Sequence, residues 1–428
     1  MYQVFKGLFI TLILCVLTIP VQAQEVKNLT LEQAQELAIQ NNPQLKAAQA
    51  RLDVSKAAVV TAGARLNPSI LSDNGIAEDT YRLGLEQTIE LGGKRRKRMS
   101  VAQAQQGVVT AEVKTVLLTL RSNVRRSYTQ LYNAQQREKA HQDILTTSQK
   151  LVNVARKRER VGDISNFEVL QPEIASINAK NELQTVHYQT VEAQTRLSML
   201  MNQPLPVDVI LTPPPVFSQA PTTVPQPAPS GAAPLQGSVT EAVASLEALL
   251  KQAYANRPEL QQNRQQVAVT HAQLALAKAN RIPNLRIAAG PDLVTGAERK
   301  FSAFIIGMVE LPILNRQQGP ILEALAQQRQ LDQEQAATRN QIRYEVMSAH
   351  TALVANQERI KNYETELLPK AAEVAEKARR SFEVGKSPIL VPLAAQQAYT
   401  NTRLGYLQAL TELQNAISDL EKAIGTGL

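Results

Sequence analysis

The residue types that most often carry chemistry are few and widely separated in this 428-residue sequence. The four histidines, His141, His187, His271 and His350, are at least 46 residues apart, so none forms the i, i+4 pair that binds a metal on one helix face. The single cysteine, Cys15, lies in an N-terminal apolar run, and the sequence has no phosphate-binding glycine loop or nucleophile elbow. The sequence therefore predicts no enzyme activity, no metal site and no cofactor.

A different kind of chemistry, the attraction and repulsion of ions, is indicated by charged residues that alternate with apolar ones. One set of positions carries Tyr81, Leu83, Leu85, Ile89 and Leu91, with Gln87 as the exception. The other set carries Arg82, Gly84, Glu86, Thr88 and Glu90. This period of two predicts a β-strand with two different environments. A membrane strand and a half-buried strand of a soluble sheet both fit the local pattern.

Each half of the chain offers one such hairpin, at 68–91 and at 283–311. In the first hairpin, the segments Asp73-Asn74-Gly75 and Glu78-Asp79 are expected to turn the chain. The second hairpin has a less clean alternation, because both faces of 301–311 are largely apolar. After the N-terminal run no apolar segment approaches the roughly 20 residues of a spanning helix, so insertion into a membrane must use strands, which need about 9 to 11.

Long helices must position these hairpins. The predicted helices are, in order, 31–41, 44–66, 94–160, 165–201, 246–256, 259–281, 318–383 and 388–424. The third contains no proline and would reach roughly 100 Å at about 1.5 Å per residue. A glycine turn follows each long outgoing helix, at Gly162 and Gly385. Stacked end to end, 44–66 and 165–201 match the length of the outgoing helix.

The chain repeats itself. Residues 31–45 return as 246–260 at an offset of 215, and helix signals, prolines and turns recur in the same order. A repeat of this length predicts an internal duplication with two structurally similar halves. The expected domains are 24–201, a proline-rich connector at 202–245, and 246–428.

The N-terminus predicts export. Residues 1–23 read as a signal peptide, with Lys6 before an apolar core and Val21-Gln22-Ala23 as the cleavage site. An uncleaved membrane anchor is the alternative, which the short apolar run disfavours. The formal charge of +8 indicates a basic surface, but an exported protein rarely meets nucleic acid, so no nucleic-acid partner is expected.

Taken together, these features resemble the TolC family of outer-membrane efflux proteins. The resemblance rests on the duplicated helix, hairpin and long-helix unit and on two similar turns, Val161-Gly162-Asp163-Ile164 and Val384-Gly385-Lys386-Ser387. The stretch Glu90-Leu91-Gly92-Gly93-Lys94-Arg95 is most similar to the branch that serves cobalt–zinc–cadmium pumps. The ordered set covers nearly all of 29–424, although no single motif is specific.

The resemblance implies a mainly α fold with a small β part. Each chain of a homotrimer would give four strands to a closed twelve-stranded transmembrane β-barrel, and the helices would form a long antiparallel coiled-coil barrel across the periplasm. The implied function is a passive exit duct in the outer membrane, with heavy-metal cations as the cargo of the similar branch. Its partners would be a periplasmic membrane-fusion adaptor and an inner-membrane pump of the resistance–nodulation–division type. The rival interpretation is a periplasmic coiled-coil adaptor or structural protein without a barrel, which does not explain two copies of the strand pair.

The resemblance also implies roles for particular residues. The periplasmic tip, where adaptors dock, would contain Val161, Gly162, Asp163, Val384, Gly385 and Lys386. Some family members close the aperture with two acidic residues after the second turn, but those positions are Val391 and Ala394 here. Glu168 and Gln171 stand at the equivalent places in the first half, so only Glu168 could form an acidic ring. An exposed helix glutamate explains it equally well.

Two further groups of charges have expected positions. Arg82, Glu86 and Glu90 would face the lumen, where charges tune conductance and ion preference. The basic run 94–98 would either lie at the periplasmic membrane edge against anionic groups or form a solvated helix start.

Overall fold

The computed structural model describes residues 28–75, 80–206, 208–214, 246–294 and 300–425. The first half contains β1 (Asn28–Leu29), α1 (Leu31–Asn41), α2 (Pro43–Gly63), β2 (Ser69–Gly75), β3 (Thr80–Ile89), α3 (Lys94–Arg160), α4 (Asn166–Met201) and β4 (Ile210–Leu211). The second half contains α5 (Leu246–Asn256), α6 (Pro258–Asn280), β5 (Leu285–Val294), β6 (Lys300–Val309), α7 (Gln318–Asn362), a π-helical turn (Tyr363–Leu367), α8 (Leu368–Glu383) and α9 (Leu390–Ile424). The predicted signal peptide and residues 215–245 of the predicted connector lie outside the described residues.

Local caps fix where the first helices begin. Thr30 and Gln33 form a capping box, in which the Thr30 Oγ1 accepts from the Gln33 amide at 3.2 Å and the Thr30 amide donates to the Gln33 side chain at 3.0 Å. Asn42 caps α2 with its Oδ1, which accepts from two amides of the first turn. Pro43 suits the first helical position because that amide has no partner within a helix. α1 therefore has its predicted bounds, whereas α2 ends at Gly63, before the predicted end at residue 66.

The long outgoing helix of the first half, α3, differs in one respect from that of the second half, α7 with α8. α3 is continuous over 67 residues, about 100 Å at the α-helical rise. The span predicted as one helix, 318–383, is helical throughout, but the π-helical turn Tyr363–Leu367 interrupts its α-helical hydrogen bonding between α7 and α8. Pro369 follows this turn and has no amide to donate to the preceding turn of helix, which accounts for the local change of hydrogen bonding.

Four strands form one antiparallel sheet in the order β2-β3-β5-β6. In its register, Arg82 lies opposite both Asp73 and Asp292, and Glu86 lies opposite Ser69 and Ala288. Backbone pairing with β3 continues β2 to residue 75, so Asp73-Asn74-Gly75 belong to the strand rather than to the predicted loop. The other part of that predicted loop, Glu78-Asp79, lies outside the described residues.

The main core lies at the middle of the long helices, where α1, α5 and the ends of α4 and α9 meet α3 and α7. Tyr128 of α3 is fully buried there. Its hydroxyl lies 2.8 Å from the Leu29 carbonyl and 2.7 Å from the Thr212 carbonyl, so it ties the parallel pair β1 and β4 to α3. Burial raises the pKa of the Tyr128 hydroxyl, which therefore remains a neutral hydrogen-bonding group.

The helices form one layer, with α3 packed between α2 and α6 near the sheet and between α4 and α9 farther away. The outer helices of this layer are α2 and α4 on one side and α7 and α8 on the other. α4 leaves an apolar stripe exposed, with members three and four residues apart near its start: Phe167, Leu170, Ile174 and Ile177. Among the described residues, every helix falls short of the length or apolarity of a membrane span.

Candidate functional site

The four-stranded sheet has one apolar face that the single chain leaves uncovered. Its exposed members include Ile70, Tyr81, Leu83, Leu85, Phe301 and Ile305. Ile305 is 81% exposed, far more than a core residue of a soluble sheet. Since each Å² of apolar surface left in water costs roughly 25 cal/mol, this face requires an apolar environment. β3, β5 and β6 each have 10 residues, which matches the length of a membrane strand.

The opposite face carries two of the three predicted lumen charges. The Arg82 guanidinium lies 3.9 Å from the Asp73 carboxylate and 3.6 Å from the Asp292 carboxylate, so three adjacent strands share a row of charges. Glu86 is half-buried, and its carboxylate makes no ion pair or hydrogen bond within the described residues. Glu90 lies just beyond β3, where its carboxylate binds Arg98 at 2.6 Å.

The basic run 94–98 is divided between two environments. The Lys94 ammonium donates to Asn284 at 2.6 Å, and Arg98 donates to the carbonyls of Ala62 and Ala64 as well as to Glu90. Burial lowers the pKa of the Lys94 ammonium, although nearby glutamates oppose this shift. These side chains fasten the start of α3 to the end of α2 and to the sheet, while Arg96 and Lys97 point to solvent.

Two glycine turns connect the long helices at the end of the molecule opposite the sheet, one between α3 and α4 and one between α8 and α9. Gly162 and Gly385 both have φ of 76°, the left-handed conformation that glycine adopts without strain and that commonly ends a helix. The preceding valines face solvent, with Val161 79% and Val384 66% exposed. The two turns therefore present matching backbone geometry and matching apolar side chains.

A small separate core joins these two turns. Its buried members are Leu151, Ala155, Val169, Phe382 and Ile389. Arg158 covers this core: its guanidinium lies 4.5 Å from the centre of the Phe382 ring, donates to the Phe382 carbonyl at 2.9 Å and binds Asp163 at 2.6 Å. The sequence did not predict a role for Arg158, because Phe382, its partner in the other half of the chain, is 224 residues away.

Glu168, the predicted aperture residue, caps α4. Its carboxylate accepts from the Ser165 amide at 2.9 Å, and the Ser165 hydroxyl lies 3.4 Å from the Glu168 amide. The sequence signal for this capping box was a serine three residues before a glutamate, directly after a turn.

The histidines are dispersed in the structure as well. His187 lies 2.8 Å from Glu138, and His271 lies 3.2 Å from Gln328. His141 is buried in α3, which lowers the pKa of its imidazole. Within the described part of the chain, no three His, Cys, Asp or Glu side chains come together as a metal site.

An exposed apolar sheet joined to very long helical hairpins is an architecture shared with solved outer-membrane channels. The outer-membrane channel OprN superposes with a TM-score of 0.73 at 18% identity, covering 93% of this chain and 90% of OprN. CusC gives a TM-score of 0.72 at 18% identity, with 93% and 92% covered. The outer membrane protein VceC of Vibrio cholerae gives 0.71 at 18% identity, with 93% and 96% covered. These likenesses establish the fold.

The sequence settles the family. The profile described as outer membrane efflux protein matches residues 34–203 and 249–426, and the chain belongs to this family. The cobalt-zinc-cadmium resistance protein CzcC of Cupriavidus metallidurans is 25% identical over 417 residues, which cover 95% of this chain and 93% of CzcC.

The protein is therefore an outer-membrane efflux channel whose helical part lies in the periplasm. The family, the location and the channel function predicted from the sequence are confirmed, as is a mostly helical fold with a small sheet. Its relatives are channels rather than enzymes.

Proposed function

We propose that the protein works as a homotrimer and that its sheet forms one third of a closed twelve-stranded barrel. One observation carries this proposal. The sheet exposes its apolar face along strands of membrane length, and its outer strands, β2 and β6, have no further strand beside them in the described chain. Unpaired backbone groups are not tolerated in lipid, so the edges of one chain must pair with those of the next.

The helices support the same assembly. α4 exposes an apolar stripe on the outer side of the helical layer, and helix-sized stripes of this kind are covered by other helices. A neighbouring protomer supplies such helices if α4 of one chain meets α7 and α8 of the next. The three layers then close into a tube that continues the barrel.

Arg82 and Glu86 are proposed to face the lumen of this barrel, since they lie on the face opposite the exposed apolar one. Three copies of the row Asp73, Arg82 and Asp292 would carry a net negative charge around the pore. Glu90 is proposed to stand at the lower rim of the barrel, held by Arg98. Glu168 keeps its proposed place near the aperture, with the α4 cap as its structural role.

At the other end, we propose that a periplasmic membrane-fusion adaptor docks on the two turns and connects the duct to a pump of the resistance–nodulation–division type. The residues concerned are Val161, Gly162, Asp163, Val384, Gly385 and Lys386. Their exposed valines and the shared core beneath them make one firm surface from both halves of the chain. We also propose that 24–201 and 246–428 arose by duplication and are joined by 202–245.

The cargo is proposed to be divalent heavy-metal cations. This rests on the likeness to CzcC, whose name records cobalt, zinc and cadmium resistance. A duct that conducts ions needs no firm binding site, because an ion must leave as readily as it enters.

The assembly is tested by fractionating expressing cells on a density gradient and running the fractions on gels with and without heating. We expect an outer-membrane band of trimer size that heating converts to a monomer. A monomer in the soluble periplasmic fraction would refute the barrel.

The cargo is tested in a strain that lacks its own duct but holds a matching adaptor and pump. Expression of the protein should lower the cellular content of cobalt, zinc and cadmium ions and raise the tolerated concentration of each. An unchanged metal content together with lowered accumulation of an organic dye would reassign the cargo.

A further inference from the structure

The tip of the molecule has an unequal distribution of bonded and free charges. We define the tip surface as residues 156–168 and 376–387, the two turns with the helix ends around them. It contains eight basic and five acidic side chains, which leaves a formal charge of +3 on each chain. Arg158 and the shared core hold the two segments together, so these charges belong to one surface.

Every carboxylate of the tip surface is already bound within the chain. Asp163 binds Arg158, Glu159 accepts from Asn166 at 2.9 Å, and Glu168 closes the cap of α4. On α8, Glu383 binds Arg379, and Glu376 binds both Arg379 and Arg380. The hydrogen bond from Arg379 lowers the pKa of the Glu376 carboxyl, so this group stays ionised in its pair.

Three cations of the tip surface have no such partner. Lys157, Arg160 and Lys386 are exposed and make no ion pair or side-chain hydrogen bond within the described residues. Along the chain, Lys157 and Arg160 precede the exposed Val161, and Lys386 follows the exposed Val384. The tip surface thus offers two apolar contacts bordered by unpaired positive charge.

We propose that the docking partner meets this surface with an acidic tip, in which carboxylates surround an apolar contact. The inference rests on the proposed docking of an adaptor at the two turns and specifies the chemistry of that adaptor. Interfaces commonly have an apolar centre and a charged rim, and complementary rim charges select the partner and speed its association. An adaptor with a basic tip would find no free carboxylate here and would be repelled.

The same charges bear on the proposed cargo. Three chains would place three copies of each free cation around the end where metal cations enter. Like charges in a narrow mouth repel an incoming cation, and a partner's carboxylates would cancel that repulsion. Docking would then do two things at once, by joining the duct to the adaptor and by making its mouth passable for cations.

The proposal is tested with two synthetic helical hairpins that share their helices and two leucines at the turn. One has three glutamates around the leucines, and the other has three lysines. Binding to the full-length trimer in detergent is followed by fluorescence anisotropy. We expect the glutamate hairpin to bind at least about tenfold more tightly, with an affinity that falls as salt is added. Equal binding, tighter binding of the lysine hairpin or no binding of either would overturn the proposal.

Charge-reversal variants test whether the three free cations of the tip surface cause the preference for the glutamate hairpin. The triple change Lys157→Glu, Arg160→Glu and Lys386→Glu should weaken the glutamate hairpin by about tenfold or more and should favour the lysine hairpin. The matched control is Lys46→Glu, Arg51→Glu and Lys251→Glu, which reverses three exposed cations in α2 and α5 that make no side-chain bond to another described residue. This control should bind like the original protein.

Metal efflux in cells separates this inference from the proposed function. If the unaltered chain gives no efflux with an adaptor and pump, the proposed function fails. If the unaltered chain works and the tip triple variant works equally well, the duct stands and only the acidic partner is refuted.

Discussion

If the sheet forms the proposed barrel, Glu86 is the residue through which the sheet would most directly influence ions. It lies on the face of β3 opposite the exposed apolar one and is half-buried, and its carboxylate has no partner within the described residues. Arg82 on the same strand differs, because Asp73 and Asp292 lie within 4 Å of its guanidinium. An unpaired carboxylate near a narrow pore attracts cations, so Glu86 should contribute more to selectivity than the compensated Arg82.

We therefore predict a graded effect of substitutions at Glu86. Glu86→Gln should lower the preference for cations over anions, and Glu86→Lys should lower it further or reverse it, because the trimer loses three negative charges and then gains three positive ones. Reversal potentials of single channels in a planar bilayer under a salt gradient measure this preference. Identical reversal potentials for all three proteins would place Glu86 outside the conducting lumen.

Gly162 gives a second test at the scale of one residue. Its φ of 76° would cost a side chain roughly 1–2 kcal/mol, but the described chain has no atom within 4 Å of a β-carbon added there. Gly162→Trp should therefore fold, assemble and obstruct docking, with metal resistance falling to that of cells without the duct. Gly162→Ala has the same backbone strain without the bulk and should keep most of the resistance. Normal resistance with tryptophan would contradict docking at this turn.

At the scale of the element, the π-helical turn between α7 and α8 is fitted against α9. Tyr363 begins this turn, and Gly405 of α9 lies beside its ring, so that an added β-carbon would be 2.6 Å from the Tyr363 hydroxyl oxygen. Tyr406 follows in α9, donates to Glu364 at 2.8 Å and lies beside the Tyr363 ring. The π-helical turn therefore packs closely against α9 at a position where α9 has only a glycine.

Gly405→Ala should accordingly lower the free energy of unfolding by about 1 kcal/mol, because overpacking costs about 1–3 kcal/mol while alanine within a helix gains up to about 1 kcal/mol over glycine. Adding Tyr363→Phe removes the nearest atom and should restore part of the loss. Gly319→Ala near the start of α7 is the control, because nothing in the described chain lies within 4 Å of its added methyl group. Thermal unfolding followed by circular dichroism measures all four proteins. A double variant no more stable than Gly405→Ala alone would show that the hydroxyl does not limit the packing.

The elements also show what a single sequence can predict. Helix ends coded by a few adjacent residues were predicted closely, such as the capping box at Thr30 and the left-handed glycine at 162. The apolar and charged faces of β3 followed from its period of two. The π-helical turn beside Pro369 was not predicted, because the sequence alone does not show that Tyr363 packs against Gly405 of the facing helix. The predicted loop around 73–79 begins later than expected, because pairing with β3 continues β2 to residue 75. Predictions failed where a distant partner decides the local structure.

At the scale of the whole molecule, contacts between the two halves hold the functional ends in place. Lys94 reaches Asn284 below the sheet, and Arg158 reaches Phe382 at the tip. Neither pair could be found from the sequence, although the repeat indicated that the halves are alike. Each half has its own hairpin and its own turn, but β3 pairs with β5 and the small core draws on both turns. The halves therefore build the sheet and the tip surface jointly.

The apolar stripe of α4 is the part of the molecule that the single chain leaves unexplained and that the proposed trimer would cover. Ile174 and Ile177 are 58% and 59% exposed in one chain. If a neighbouring protomer buries them, Ile174→Asp with Ile177→Asp places six carboxylates in the three interfaces, and each unpaired buried charge costs several kcal/mol. The trimer band on an unheated gel should disappear, while the helical circular dichroism of the monomer stays nearly unchanged. Ile174→Leu with Ile177→Leu keeps the stripe apolar and should keep the trimer. Survival of the trimer with both aspartates would show that α4 faces water or the lumen, and the helical tube would then have to close through other helices.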